Sequence, residues 1–229
     1  LVNPGQLPAV EVYLQAGQAC VGDTLDVQVK VDNLQLISAI SLVLQNPVQS
    51  LQFEGFKDLH PSLGTNLSIS NTADRVAFAW FNVQPLTLPS QTTLVTYRYV
   101  VQSGAALTWD LQTPGNCEFA DDNGQIRAAN FANAQIQTNP APMITAQPSN
   151  QLVASGDTAL FAVQASNVNT YQWQRLINGS WTNLSDGGVY AGVQTASLRV
   201  VASPTLSGAT YRVQMAGNCQ GFVFSQSAS

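Results

Sequence analysis

Basic side chains are scarce in this sequence, and their scarcity excludes several classes of partner. The chain has two lysines, Lys30 and Lys57, and Lys and Arg together number 8 against 13 acidic residues, for a formal net charge of −5. Charged residues make up 9% of the chain, against roughly a quarter in a typical soluble domain. Phosphate binding needs clustered Lys and Arg, so we expect no nucleic-acid partner and no basic membrane-surface patch.

Long apolar runs are also missing. No run approaches the ~20 residues that a membrane-spanning helix needs, which predicts no membrane insertion. The sequence lacks an initiator Met and a positively charged segment followed by an apolar one, so we expect any signal peptide to have been removed already. Gln, Asn, Ser and Thr supply the polarity, as is common in secreted bacterial surface proteins. We therefore expect an extracellular or cell-surface location.

Histidine is nearly absent, which argues against catalysis. His60 is the only one, and it lies beside Pro61 in a polar loop, so a Ser-His-Asp triad lacks a well-placed base. We interpret it as an exposed loop residue. A pair of carboxylates could in principle cleave a glycoside, but strand alternation or turn chemistry explains the main candidates. These are Asp23, Asp26, Asp32, Asp157 and Asp186. We predict that the chain is not an enzyme and holds no cofactor.

Cysteine is limited to Cys20, Cys117 and Cys219, and no two have the CxxC spacing of a zinc site. A Cys20–Cys117 disulfide would close a long loop and contribute on the order of 4 kcal/mol to stability in the chain-entropy model. Three buried free thiols are the alternative. For Cys219 we expect either a free thiol or a pairing outside this chain.

Alternation of apolar and polar residues is the dominant pattern. In "TLDVQVKVDN", Leu25, Val27 and Val29 point one way and polar residues the other, which predicts a half-buried strand. Similar stretches run the length of the sequence and predict an all-β chain made of sandwiches, with one short helical turn near "FKDLHPSLG". The main ones are "AVEVYLQ", "AISLVLQ", "RVAFAWFNV", "TLVTYRYVV", "ALTWDLQ", "NAQIQT", "TALFAVQAS", "TYQWQRLI", "ASLRVVAS", "ATYRVQMAG" and "FVFSQS".

A proline-containing segment divides the chain. "TNPAPM", Thr138–Met143, has two prolines and no alternation, which is typical of a linker or a first edge strand. We predict one β-sandwich over residues 1–139 and a second over residues 140–229.

The stretch "CEFADDNGQIR" raises the question of a metal site. Asp121 and Asp122 are adjacent, but a calcium loop needs oxygens at alternating positions and a closing bidentate Glu, which are missing. Asn-Gly is instead a strong hairpin signal. We therefore predict a turn, and keep Asp121 and Asp122 as weak Ca²⁺ candidates supported by oxygens from elsewhere.

Aromatic residues allow two interpretations. "VAFAWF" places Phe78 and Trp80 on one face of a strand and Phe81 on the other, and "LTWD" adds Trp109. Core packing is the commoner fate of such residues. The alternative is a glycan-binding row that uses Trp80 and Trp109. Three N-x-S sequons would be glycosylated only if the source cell does so. They begin at Asn66, Asn178 and Asn183.

Four segments of the second half carry a recognisable pattern: "QPSNQLVASGDTALFAVQA", "YQWQ", "WTNLSDGGVYAGVQTASLRV" and "LSGATYRVQMAGNC". Together they resemble a bacterial immunoglobulin-like domain. The resemblance implies that Trp173 is the core tryptophan and Tyr211 the corner tyrosine. The sequence departs from antibody domains at the two inter-sheet disulfide positions, so the resemblance implies a core held by packing alone. Those positions are occupied by Phe161 or Ala162, and by Val213.

The first half carries "AVEVYLQ", "VGDTLDVQVKVDN", "ISAISLVLQ", "LQFEGF" and, near its end, "FADDNGQI" and "NAQIQT". In this order the segments resemble a cohesin-type domain over roughly residues 9–138. Cohesins bind dockerins through a sheet face, so the resemblance implies that such a face is present here, without assigning contact residues.

Three functional hypotheses follow. The leading one is a non-catalytic extracellular pair of modules that contacts other proteins or further copies of itself, as a scaffold, an adhesin or a subunit of a surface fibre. The fibre version rests on the final stretch "FVFSQSAS", which predicts an incomplete last strand with an unpaired edge. The second is carbohydrate binding by the first sandwich, and the third is an accessory fragment of a larger secreted hydrolase.

Overall fold

A computed structural model describes residues 7–72, 74–219 and 221–229. It confirms that the chain is all-β, with helix limited in the described part to two short 3-10 turns, Pro61–Leu63 and Pro204–Leu206. The first of these is the predicted helical turn. The chain divides into two compact units, unit 1 (Leu1–Thr138) and unit 2 (Asn139–Ser229). Within the described residues, no helix has the length and apolar character needed to cross a membrane.

Unit 1 is built from strands whose apolar and polar residues alternate. Its strands are β1 (Val10–Ala16), β2 (Thr24–Asp32), β3 (Ile37–Gln45), β4 (Leu51–Lys57), β5 (Leu67–Thr72), β6 (Arg75–Leu86), β7 (Thr92–Val101), β8 (Ala105–Trp109), β9 (Glu118–Ala120), β10 (Ile126–Arg127), β11 (Ala129–Ala132) and β12 (Ala134–Ile136).

These strands form two sheets. One has the order β11-β1-β2-β7-β4, and the other has the order β10-β9-β3-β6-β5 with β8 also paired to β3 and β12 to β8. Alternate residues of both sheets enter one buried cluster, to which Val27, Leu42 and Tyr97 belong. Because successive side chains of a strand point to opposite faces, the intervening residues of each sheet lie on its outward face.

Unit 2 contains the remaining strands. They are β13 (Met143–Ala146), β14 (Thr158–Ala162), β15 (Gln164–Ser166), β16 (Thr170–Ile177), β17 (Ser180–Asn183), β18 (Tyr190–Ala191), β19 (Ser197–Val201), β20 (Tyr211–Ala216) and β21 (Val223–Phe224). The sheets have the orders β14-β19-β18, β17-β16-β20-β21 and β13-β15.

The core of unit 2 draws on both larger sheets. Trp173 of β16 is fully buried, and its ring centroid lies 6.5 Å from that of Phe161 on β14. Val213 of β20 belongs to the same cluster. Of the two residues suggested for one inter-sheet position, Phe161 points inward and Ala162 is exposed, so these positions are filled by packing side chains.

The final segment forms β21, a strand of two residues that lies at the edge of its sheet. Phe224 of β21 pairs with Gln214 of β20, and further along Ala228 and Tyr211 exchange backbone hydrogen bonds of 2.9 and 2.8 Å. Ala228 is buried. The polar stretch between these points also follows β20, with Ser225 donating its backbone N–H to the carbonyl of Val213. That the outer edge of β21 receives a strand from another copy stays a prediction.

Candidate functional site

The outward face of the β10-β9-β3-β6-β5 sheet is the candidate site. In the strand register, Ser41 of β3 lies opposite Ala79 of β6, and Ala79 lies opposite Ser68 of β5. The next row pairs Ala77 with Ser70. Small side chains on three adjacent strands make this surface flat. We call it the small-residue face; it consists of Ala39, Ser41, Ser68, Ser70, Ala77 and Ala79.

Exposed apolar side chains border this face at one end. Phe81, Val83 and Ile126 keep 65%, 84% and 61% of their surface exposed. Phe81 pairs with Ala39, Ala39 with Ala120, and Ala120 with Ile126, so one row across four strands has an apolar side chain at each end. Large apolar residues exposed next to each other commonly mark an interaction surface.

Charged residues lie at the margins of the small-residue face. Glu118 of β9 pairs with Ser41 in the register, and its carboxylate accepts a 3.0 Å hydrogen bond from the backbone N–H of Gly115. At the far end of β6, Arg75 forms a 3.3 Å ion pair with Asp74. This arginine, with Thr72, lowers the pKa of Asp74 through side-chain hydrogen bonds.

The composition of this face favours contact with another protein. Ala and Ser lose little side-chain entropy when a partner covers them, and a surface without central charges loses little hydration. The apolar residues at its border can supply the buried contact area that stabilises a complex. Among the described residues, the six side chains that make up the small-residue face include no acid and no base.

Both tryptophans of the glycan hypothesis lie in the core of unit 1. Trp80 and Trp109 are 2% and 4% exposed, and their indole N–H groups donate to the backbone carbonyls of Leu63 and Ala132 at 2.7 and 3.0 Å. Their ring faces are therefore unable to stack on a sugar. The glycan role suggested for Trp80 and Trp109 is wrong, and the alternative of core packing is confirmed.

Asp121 and Asp122 lie in a hairpin loop between β9 and β10, which confirms the predicted turn. The Asp121 carboxylate accepts 2.9 Å hydrogen bonds from the backbone N–H groups of both Asn123 and Gln125. Gly124 adopts φ 73°, a region that favours glycine, whereas Asn123 has no positive φ. Asp121 thus caps the loop, and among the described residues no group of three or more potential metal ligands occurs.

The cysteines differ from the predicted pairing. Cys20 and Cys219 are each disulfide-bonded, whereas Cys117 is a free thiol. The predicted Cys20–Cys117 bridge is therefore wrong. The Cys117 side chain points along β3 instead, with its Sγ 3.5 Å from the carbonyl oxygen of Val43, and burial raises the pKa of this thiol.

The other polar candidates have structural roles. His60 is half-buried rather than exposed as we predicted, and its Nδ1 accepts a 3.3 Å hydrogen bond from the N–H of Ser62, capping the 3-10 turn. On the outward face of the other sheet of unit 1, the Asp26 carboxylate contacts Arg98 at 3.0 Å and Lys57 at 2.7 Å. Hydrogen bonds from these two cations lower the pKa of Asp26.

The three sequons occupy different settings. Asn66 is exposed, directly before β5. Asn178 lies in the turn between β16 and β17 with φ 49°. Asn183 uses its side-chain oxygen to accept a hydrogen bond from Gln174.

The small-residue face itself was not identified from the sequence. Its signal is the alternation of Ala and Ser with large residues in "ISAISLV" and "VAFAWF", together with the short strand "LSISNT", which we did not predict. Small residues at every second position are recognisable as a face only when the pairing of β3, β6 and β5 is known.

Comparisons with known proteins support the fold of this region. No protein-family model and no curated protein matches the sequence. Solved structures of cohesin domains are similar to it. A chain from a crystallised complex of a CaDoc0917 variant with CaCohA2 superposes with a TM-score of 0.50 at 13% identity, covering 57% of this chain and 99% of that chain.

Two further cohesin structures have slightly lower TM-scores. CaCohA2 from Clostridium acetobutylicum, solved in solution, has a TM-score of 0.47 at 15% identity and covers 59% of this chain and 94% of its own. A non-cellulosomal cohesin from the archaeon Archaeoglobus fulgidus has a TM-score of 0.48 at 18% identity and covers 57% and 91%. At 13% identity, the likeness to the CaCohA2 complex, with its TM-score of 0.50, shows a cohesin-like β-sandwich fold and nothing finer.

Proposed function

We propose that this chain is a non-catalytic, extracellular interaction protein whose unit 1 binds a protein partner through the small-residue face. Unit 2 is then an immunoglobulin-like module carried on the same scaffold or adhesin. The observation that carries the proposal is the uncharged, flat centre of that face, with Phe81 and Ile126 at the two ends of one row. In a sandwich domain without a partner such a surface is unfavourable, since it exposes large apolar side chains to water.

Three further observations support the proposal. The similar chain from the CaCohA2 structure was crystallised in a complex with a second protein, so this fold is used for protein contact elsewhere. The disulfide-bonded state of Cys20 and Cys219 fits an oxidising compartment, because such bonds are rare in the cytosol.

In unit 2, the buried Trp173 and the contact of Phe161 with it support the immunoglobulin-like assignment.

The test places a large charged side chain in the centre of the face. The wild-type chain is immobilised and exposed to the secreted proteins of the source organism, and bound proteins are identified by mass spectrometry. In the Ala79→Arg variant we expect the specific partner to bind at least about ten-fold more weakly, a loss of ~1.4 kcal/mol. The matched control is Ala132→Arg, since Ala132 is also an exposed strand residue but pairs with Tyr13 on the other sheet.

A partner retained equally by wild type, Ala79→Arg and Ala132→Arg would contradict the proposed surface. Loss of the partner from both variants would point to a general effect of added charge, and would also count against it. Circular dichroism of all three proteins checks that the sheets remain folded.

A further inference from the structure

Unit 2 presents an outward sheet face of a different kind, and it goes beyond the function proposed for unit 1. On β16, β17, β20 and β21, the sheet face that points away from the buried Trp173 side carries aromatic, arginine and amide side chains together with Leu176. The register places Gln174 beside both Arg212 and Asn183, and Gln214 beside Phe224. We call this surface the aromatic–arginine face; it consists of Gln174, Trp181, Asn183, Arg212, Gln214 and Phe224.

The guanidinium of Arg212 lies between two rings. Its Cζ is 4.3 Å from the ring centroid of Trp181 and 4.2 Å from that of Phe224. Aromatic rings on both sides attract the cation and restrict it to one plane. The group is therefore held in position before any ligand arrives, which reduces the ordering cost of binding.

The buried side-chain amide of Gln174 holds the Nε edge of the Arg212 guanidinium in place. The Arg212 Nε donates a 2.8 Å hydrogen bond to the Oε1 of Gln174, which is 6% exposed. The Gln174 Nε2 donates in turn to the Oδ1 of Asn183 at 2.8 Å and to the Oε1 of Gln214 at 2.9 Å. Both ends of this glutamine are satisfied, so the network is a built support for the arginine rather than a chance contact.

The outer edge of the guanidinium has no partner among the described residues. Neither terminal nitrogen of Arg212 takes part in a hydrogen bond or ion pair there, although both belong to a partly buried side chain. Unit 2 carries two acids, Asp157 and Asp186, and the carboxylate of Asp186 accepts the N–H of Val193. A planar fork of N–H donors is thus left open beside exposed aromatic side chains.

The geometry points to a carboxylate ligand. We propose that the aromatic–arginine face binds an Asp or Glu side chain of a partner protein, flanked there by apolar residues. The fork of an arginine matches the two oxygens of a carboxylate, and its charge complements an acidic segment. Phe222 and Phe224 are exposed beside it and offer apolar contact to the flanking residues. A sugar is disfavoured because Trp181 and Phe224 each turn a ring face to Arg212.

Tryptophan fluorescence can follow this binding directly. The other tryptophans, Trp80, Trp109 and Trp173, are buried, so a ligand at this face changes mainly the emission of Trp181. The probe is a capped peptide with one glutamate between two phenylalanines, and the matched probe has glutamine in its place. We expect saturable binding of the glutamate peptide, at least ten-fold weaker binding of the glutamine peptide, and weakening by salt.

Variants of the chain test the role of the guanidinium. Arg212→Lys keeps the charge but loses the planar fork, and we expect at least ten-fold weaker binding of the glutamate peptide. The control is Arg199→Gln, which removes an exposed arginine from β19 on another sheet and should leave binding unchanged. Circular dichroism confirms that each variant is folded.

Three results would overturn the proposal: equal binding of the two peptides, unchanged binding by Arg212→Lys, or no change in emission at millimolar peptide. Oligogalacturonate and inorganic phosphate are titrated in parallel. Tighter binding of either one would assign the face to an acidic glycan or a phosphate instead.

Discussion

The Tyr99→Phe substitution should stabilise unit 1, although it removes a polar group from the protein. Tyr99 of β7 is fully buried in the core, with its ring centroid 5.5 Å from that of Phe53. Its hydroxyl oxygen is sealed from solvent and has no hydrogen-bond partner among the described residues. A buried hydroxyl without a partner costs about 1–3 kcal/mol, because it loses its hydrogen bonds to water and gains none.

Phenylalanine keeps the ring and removes only the oxygen, so it leaves a small void that offsets part of this gain. We therefore expect Tyr99→Phe to raise the free energy of unfolding by about 1 kcal/mol, or the melting temperature by about 3 °C. The assay is urea denaturation followed by circular dichroism, in which the midpoint should rise at constant m-value. Tyr97→Phe is the matched control on the same strand, since the Tyr97 oxygen is not among the sealed, unpartnered atoms.

A Tyr99→Phe protein less stable than wild type would refute this account of the core. It would mean that the Tyr99 hydroxyl makes a hydrogen bond in solution, for instance to an ordered water. An equal gain in Tyr97→Phe would also refute it, because the Tyr97 oxygen is not sealed from solvent and the effect would then not depend on a hydroxyl that is cut off from water.

Three further predictions concern titratable groups. Burial raises the pKa of Tyr97 and Tyr99, so the stability that their neutral forms provide is present below about pH 10 and lost above it. Absorbance at 295 nm should show the two phenols ionising only as the circular dichroism signal disappears. Ionisation of either phenol in the folded state would contradict this. A thiol assay in denaturant should count one thiol per chain before reduction and three after it. A count of zero before reduction would contradict the free state of Cys117, and a count of three would contradict the disulfide-bonded state of Cys20 and Cys219. Because Arg98 and Lys57 lower the pKa of Asp26, the stability that this carboxylate provides is present above about pH 4 and is lost as the pH falls through the lowered value. In Asp26→Asn the melting temperature should therefore fall less steeply with acid than in wild type. An unchanged pH profile of the melting temperature would refute the contribution.

Strand content and side-chain direction could be predicted from the sequence because both depend on local alternation. In "VAFAWF" the period of two places Phe78 and Trp80 inward and Phe81 outward, as the structure shows. The hairpin at Asn123 and Gly124 was predictable for the same reason, since turn geometry is set within a few residues. Local patterns of this kind do not report which strands become neighbours.

The features that the sequence did not show all depend on contacts between distant segments. The Cys117 thiol lies beside Val43, which is far away in the chain, and no local pattern indicates this contact. The stacking of Arg212 between Trp181 and Phe224 joins three strands, and no motif marks it. The pairing of Ala228 with Tyr211 was missed because backbone hydrogen bonds can hold a segment that lacks alternation.

Hydroxyl-radical footprinting of the complex with the recovered partner tests the central claim most directly. Phe81 is exposed at the border of the small-residue face, and Phe56 is exposed on the strand β4 of the other sheet. The proposed function predicts that partner binding reduces oxidation of Phe81 several-fold and leaves oxidation of Phe56 unchanged. Protection of Phe56 with full oxidation of Phe81 would place the partner elsewhere and contradict the claim.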